Sequence, residues 1–199
     1  MTWMLTATGV AFDLRFVKAD AIDIADIAHH LAQINRYTGA CRRPYSVAEH
    51  SLLVCEIVDY TLIRADPAVL LAALMHDAHE AYTQDLSAPF KEIVGPAWRV
   101  EEDRVQRAVL GRFGLLDASS SAAKLIHWAD QTALVTERKQ LLPPTGPTWA
   151  AEAEHVPIAW RDLSHSDAFT WLDWRQAFLD KFAELTFALE NAQLSLVKG

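Results

Sequence analysis

The chain has 199 residues, of which 51% are hydrophobic and 22% are charged, which predicts one folded domain over residues 1–199. Its formal net charge of −8 argues against the basic surface on which binding to nucleic acid polymers depends. No apolar run approaches the ~18 residues of a membrane span, no signal peptide is evident and the two cysteines form no pairing motif, so we expect a cytoplasmic protein without a membrane partner.

The spacing of apolar residues predicts an all-α fold, a single bundle of six or seven helices preceded by a short hairpin or arm over residues 3–14. Asp23 is a candidate N-cap for a first helix that ends near Asn35. A loop, RYTGACRRPY, follows. Ser46 then begins a capping-box pattern, which predicts a helix over residues 46–59.

Asp66 and Pro67 predict the start of the next helix, which we expect to run unbroken through AVLLAALMHDAHEAY. The polar segment TQDLSAPFK then interrupts the helical pattern. The Pro-rich segment 143–165 is expected to be irregular, with a turn at AAEAEH. The remaining helices are predicted over residues 97–112, 121–141 and 167–190.

Three of these helices carry a polar residue on an otherwise apolar face. His50 lies on one such face, His76, Asp77 and Glu80 continue a second at spacings that let them converge, and Asp130 lies on a third. A buried carboxylate must be paired, protonated or bound to a metal. Any one histidine taken alone is more typical of a hydrogen-bonded core residue. Together, two histidines and two carboxylates form a mixed N/O set that suits a divalent transition ion.

The order of these motifs resembles the HD-domain phosphohydrolase superfamily, whose signature is a histidine, a later His-Asp doublet and a final aspartate on another helix. The resemblance is closer to the YfbR-like 5′-deoxynucleotidases and related small phage and bacterial HD hydrolases, including dATP triphosphohydrolases. It covers about residues 33–138, in the segments QINRY, SVAEHSLLV, LLAALMHDAHEAYTQDLSAPFK and KLIHWADQTALVTER.

The resemblance implies a role for each residue that matches a family motif. The implied metal ligands are His50, His76, Asp77 and Asp130. The implied catalytic residues are Glu80, which positions or deprotonates a water, and Asp85. The implied substrate-binding residues are Arg36, Tyr37 and Lys91. The implied cofactor is a divalent transition metal, Co²⁺, Mn²⁺, Zn²⁺, Fe²⁺ or Ni²⁺, with Mg²⁺ brought by the substrate phosphates.

The chain departs from the family pattern directly after Arg36. Tyr37 stands where the related 5′-deoxynucleotidases have the tryptophan implicated in excluding the ribose 2′-hydroxyl. The resemblance therefore implies a preference for deoxyribose less firmly than it implies the metal site.

The resemblance implies a metal-dependent 5′-deoxynucleotidase that releases phosphate from deoxynucleoside monophosphates. One alternative is a triphosphohydrolase of the dATP type, which releases triphosphate from a deoxynucleoside triphosphate. Another is a catalytically inactive HD domain that binds nucleotides as a regulator, although the intact ligand set argues against it. Self-association is common in the family, so a homo-oligomer with a small-molecule nucleotide substrate is expected.

Overall fold

The computed structural model describes residues 2–166 and 168–197, which are mostly helical, as the all-α prediction requires. These residues contain nine α-helices: α1 (Ile24–Leu31), α2 (Val47–Thr61), α3 (Pro67–Leu74), α4 (Glu80–Thr83), α5 (Ala88–Val94), α6 (Pro96–Arg112), α7 (Leu116–Ser121), α8 (Ala123–Leu141) and α9 (Trp171–Val197). The count exceeds the predicted six or seven because one predicted helix is divided and two short helices, α5 and α7, occupy stretches in which the sequence predicts none.

The expected N-terminal hairpin is present. Strand β1 (Trp3–Leu5) pairs antiparallel with strand β2 (Ala11–Asp13). Phe12 of β2 is fully buried and stacks on Tyr82, with the ring centroids 3.9 Å apart. This contact anchors the hairpin against the segment that follows the His-Asp doublet.

Three predicted helix starts are confirmed by their caps. The side chains of Asp23, Ser46 and Asp66 each accept a hydrogen bond from a backbone N–H in the first turn of α1, α2 and α3. Helix α1 is shorter than predicted and does not reach Asn35, because the backbone around Asn35 instead forms an antiparallel bridge with that around Ser46.

The helix predicted to run through AVLLAALMHDAHEAY is divided into α3 and α4 by turns over residues 75–79. Gln106 of α6 occupies this break: its side-chain nitrogen donates to the backbone carbonyls of Met75 at 2.8 Å and His76 at 2.7 Å, and its oxygen accepts from the backbone N–H of His79 at 3.1 Å. A different helix thus satisfies the backbone groups that the break releases. The prediction of one continuous helix is wrong here because apolar periodicity does not reveal such a distant partner.

Helix α2 packs against α3, α8 and α9, and the buried apolar side chains form one contiguous cluster around it. The middle of α2, the break after α3 and the middle of α8 therefore lie side by side. The expected turn at AAEAEH is a 3-10 helix, Ala150–Ala153. The predicted start of the last helix at residue 167 lies outside the described residues; α9 begins at Trp171 and continues past the predicted end at 190. Within the described part of the chain, no helix combines the length and apolar character needed to span a bilayer.

Candidate metal centre

The four side chains expected to bind metal come from three elements and lie together. His50 projects from α2 and is fully buried, His76 and Asp77 occupy the break before α4, and Asp130 lies on α8. His50 Nε2 is 3.2 Å from Asp130 Oδ1 and 3.6 Å from Asp77 Oδ2, and His76 Nε2 is 3.2 Å from the same Asp77 oxygen. One ligand atom each from His50, His76 and Asp130 lies within 4.8 Å of the others. This is the spacing of a mixed nitrogen and oxygen site.

The hydrogen bonds of the two imidazoles direct their Nε2 atoms into the cluster. His50 Nδ1 is 2.6 Å from Glu137 Oε1, and His76 Nδ1 is 2.8 Å from the backbone carbonyl oxygen of Ala73. Because both oxygens are acceptors, each Nδ1 must carry the proton, and the neutral ring then has its lone pair on Nε2. Among the described residues, neither buried Nε2 has a hydrogen-bond partner. Each Nε2 instead lies 3.2 Å from a carboxylate oxygen without a well-directed hydrogen bond, an arrangement in which a metal ion can take the place of a proton.

Electrostatics in the cluster favour added positive charge. Burial alone would raise the pKa of Asp77 and Asp130, but the His76 and His50 imidazoles outweigh it and hold both carboxyl pKa values below their usual range. Burial and the Arg36 cation oppose protonation of His50, whereas Glu137 and Asp130 favour it and raise the His50 pKa to about 9. Two imidazole nitrogens and two ionised carboxylates fit a divalent transition ion, which would displace the proton from His50.

Glu80, the first residue of α4, is a buried acid beside this cluster. Burial, reinforced by the Asp77 and Asp85 carboxylates, raises its pKa well above the usual range. Among the described residues its Oε2 atom has no hydrogen-bond partner. Asp85 is half-buried, and burial raises its pKa as well despite the opposing Arg36 cation. A carboxyl with one unbonded oxygen and a raised pKa, next to candidate metal ligands, is suited to accept a proton.

Arg36, expected to contact phosphate, borders the cluster. Its guanidinium is buried, with Nη1 3.7 Å from Asp77 Oδ2 and Nε 3.3 Å from Glu137 Oε2. Burial opposes its charge, but the carboxylates around it, Glu137 first, keep the pKa of Arg36 well above its usual value. The structure thus holds a permanent cation next to a candidate metal ligand, where it can meet an anionic group.

Tyr37, the position at which the chain departs from the family pattern, belongs to a constrained loop. Its hydroxyl donates to Glu137 Oε2, and its ring stacks on Trp149 with the centroids 5.8 Å apart. Tyr37 and Thr38 have φ angles of 55° and 52°, a left-handed conformation that is uncommon for residues other than glycine. The side-chain contacts of Tyr37 hold the loop in this conformation.

Two further carboxylates were not identified from the sequence. Glu137 is fully buried and accepts from His50 Nδ1 and, at 2.9 Å, from the Tyr45 hydroxyl. Burial would raise the pKa of Glu137, but Arg36 and His50 lower it to about 2. Glu137 lies two helical turns beyond Asp130 on α8, so a helical projection could have placed both on one face.

Glu102 of α6 is the second of these carboxylates. Its Oε1 lies 2.7 Å from Lys91 Nζ and 3.7 Å from His79 Nε2. Lys91 Nζ is also 3.8 Å from Glu80 Oε1, which places this expected substrate-binding residue between the two acids. The sequence carries no signal for the contact, since it depends on how α5 and α6 pack.

These features define an all-α protein with a histidine–carboxylate cluster where three of its elements meet. No family model matches the chain. It is 34% identical over 149 residues to the uncharacterized protein YfdR of Escherichia coli (strain K12), a match that covers 75% of this chain and 78% of YfdR. It is 40% identical over 119 residues to an uncharacterized protein of Rhodobacter capsulatus, covering 57% of this chain and 59% of that protein. The chain therefore belongs to the same family as YfdR.

Proposed function

We propose that the protein is a metal-dependent phosphohydrolase of the HD-domain type that acts at the 5′ position of deoxynucleotides and releases phosphate from deoxynucleoside monophosphates. The observation that carries this proposal is the pair of buried, partnerless Nε2 atoms of His50 and His76 beside the ionised carboxylates of Asp77 and Asp130. Without a metal, His50 holds an extra proton beside Asp130 and neither Nε2 makes a well-directed hydrogen bond, which is a costly arrangement for buried polar atoms.

His50, His76, Asp77 and Asp130 would hold the metal, with Co²⁺, Mn²⁺, Zn²⁺, Fe²⁺ or Ni²⁺ matching their mixed donor set. When bound, such an ion polarises a phosphoryl oxygen and activates water, and Mg²⁺ would enter with the substrate phosphates. Glu137 fixes the proton of His50 on Nδ1, so the Nε2 lone pair remains available to the ion.

The surrounding residues supply the acid–base and electrostatic parts of the reaction. Glu80 takes a proton from the attacking water at its partnerless Oε2, and its raised pKa makes it a stronger base than an exposed carboxylate. Asp85 contributes by raising the Glu80 pKa. Arg36 and Lys91 neutralise the negative charge on the phosphate, which the net charge of −8 would otherwise repel.

Incubating the purified protein with single deoxynucleoside monophosphates and triphosphates, each with Co²⁺ or Mn²⁺, tests this proposal. Release of orthophosphate from a monophosphate supports it. Release of intact triphosphate from a triphosphate assigns the alternative reaction to the same centre. A metal-loaded protein that binds these nucleotides without turnover contradicts the enzymatic assignment and favours a regulator.

We also propose that the enzyme is cytoplasmic and forms a homo-oligomer. Cys41 and Cys55 are both free thiols, as a reducing compartment favours. Trp160 and Trp171 are exposed, and Trp160 stacks on the exposed Tyr60, which provides aromatic surface for a second copy. Light scattering at micromolar concentration tests this part; a monomer contradicts it.

A further inference from the structure

The geometry points to Glu137 as a positioning residue that couples the metal ligand His50 to the loop bearing Arg36 and Tyr37. The inference rests on the proposed function in one respect, because it takes His50 as a ligand and the loop as the side on which phosphate binds. Beyond that, metal binding at His50 and anion binding at the Arg36–Tyr37 loop are inferred to depend on each other.

The two carboxylate oxygens of Glu137 serve different sides of the site. Oε1 accepts from His50 Nδ1 at 2.6 Å and from the Tyr45 hydroxyl at 2.9 Å. Oε2 accepts from the Tyr37 hydroxyl and lies 3.3 Å from Arg36 Nε. One planar, fully buried group therefore contacts a metal ligand through one oxygen and the phosphate-binding loop through the other.

The loop needs this restraint. The left-handed backbone of Tyr37 and Thr38 is unfavourable for residues other than glycine and persists only where surrounding contacts enforce it. Those contacts include the Tyr37–Glu137 hydrogen bond and the stacking of Tyr37 on Trp149. A carboxylate cannot rotate to favour one oxygen without moving the other. A shift of the loop must therefore also move the Oε1 atom that bonds His50 Nδ1.

Coupling of this kind is reciprocal. An anion that orders the Arg36–Tyr37 loop should strengthen metal binding through Glu137, and the metal should strengthen anion binding by the same factor. Inorganic phosphate and Co²⁺ are suitable probes, because both can be titrated without turnover.

A glutamine at position 137 tests the coupling sharply. Its amide has one acceptor oxygen where the carboxylate has two, and its nitrogen can only donate. It can therefore serve His50 or the pair of Tyr37 and Arg36, but not both. Glu49→Gln is the matched control: Glu49 is also buried, directly precedes His50 in α2, and binds Arg43 at 2.6 Å instead of a proposed metal ligand.

Co²⁺ affinity is measured by calorimetry and by the visible absorption of bound Co²⁺, with and without phosphate. We expect Glu137→Gln to weaken Co²⁺ binding about 10- to 100-fold and to abolish the effect of phosphate on it. Glu49→Gln should leave Co²⁺ affinity within about threefold of wild type. Tyr37→Phe changes no proposed metal ligand, yet it should reduce the effect of phosphate on Co²⁺ affinity. Adding it to Glu137→Gln should change that affinity little further.

Two results with the glutamine variants would overturn the inference. One is wild-type Co²⁺ affinity in Glu137→Gln; the other is an equal loss in Glu49→Gln, which would indicate a general effect on the fold. If Glu137→Gln does not fold, Tyr37→Phe still decides, because an unchanged phosphate effect in that variant contradicts the coupling. A wild-type protein that binds no Co²⁺ also contradicts it. Coupling in a protein that hydrolyses no nucleotide would leave this inference standing while the proposed function fails.

Discussion

Lys91 Nζ lies 2.7 Å from Glu102 Oε1, so a carboxylate of α6 fixes the cation that we propose meets the substrate phosphate. Burial would raise the pKa of Glu102, but hydrogen bonding with His79 and Lys91 outweighs it and lowers the pKa to about 2. A carboxyl pKa that falls on folding stabilises the protein at pH values above the unfolded value of about 4.5, and this contribution is lost as the pH falls towards 2.

Glu102→Gln should accordingly destabilise the protein at pH 7, and the difference in unfolding free energy from wild type should shrink between pH 5 and 3. Denaturant unfolding at several pH values measures this. The variant should also raise KM for nucleotide, because Lys91 is no longer held in place. Glu101→Gln is the control, since Glu101 is exposed and pairs only with Arg104 in the described contacts. A destabilisation that is the same at every pH would contradict the assigned pKa.

Asp77→Ala should remove bound metal and activity while leaving the helical fold intact. Its carboxylate lies 3.2 Å from His76 Nε2 and 3.6 Å from His50 Nε2, so its loss removes a proposed oxygen ligand from beside both imidazoles. Elemental analysis, turnover and circular dichroism give the three readouts. Asp103→Ala, at an exposed aspartate of α6, should change none of them. Full activity in Asp77→Ala would contradict the assignment of the metal centre.

Glu80→Gln distinguishes a catalytic base from a metal ligand. The substitution preserves size but removes the proton acceptor, so we expect metal content to stay at the wild-type level while kcat falls roughly 10²–10⁴-fold. Metal analysis and steady-state kinetics on the same preparation measure both. If the metal is lost together with turnover, Glu80 is a ligand rather than the base.

Removing the metal should lower the thermal stability of the protein. A ligand that binds only the folded state stabilises it by RT ln(1 + [L]/Kd), or about 2.7 kcal/mol at a hundredfold excess over Kd. Treatment with a chelator should therefore reduce Tm, and added Co²⁺ or Mn²⁺ should restore it. Asp77→Ala provides the comparison: its Tm should respond to neither treatment, and a response equal to that of wild type would show that the ions act elsewhere.

The sequence revealed those parts of the site that depend on helical periodicity. His50 and Asp130 interrupt apolar faces, and Ser46 marks the start of α2, so their helices and orientation were predictable. The break after α3 was not, because it is stabilised by side-chain contacts from Gln106. The Lys91–Glu102 pair was hidden for a related reason: it requires α5, a helix of seven residues that buries none of them and therefore shows no apolar periodicity.

The bracing of the break by Gln106 also has a consequence for the order of folding. His76 and Asp77 reach their positions through backbone that α6 holds in place, about thirty residues further along the chain. Local helices can form without that long-range contact, but the ligand geometry cannot. During refolding, the far-ultraviolet helical signal should therefore develop before the absorption of bound Co²⁺. The rate at which Co²⁺ binds would then report the rate at which α6 docks.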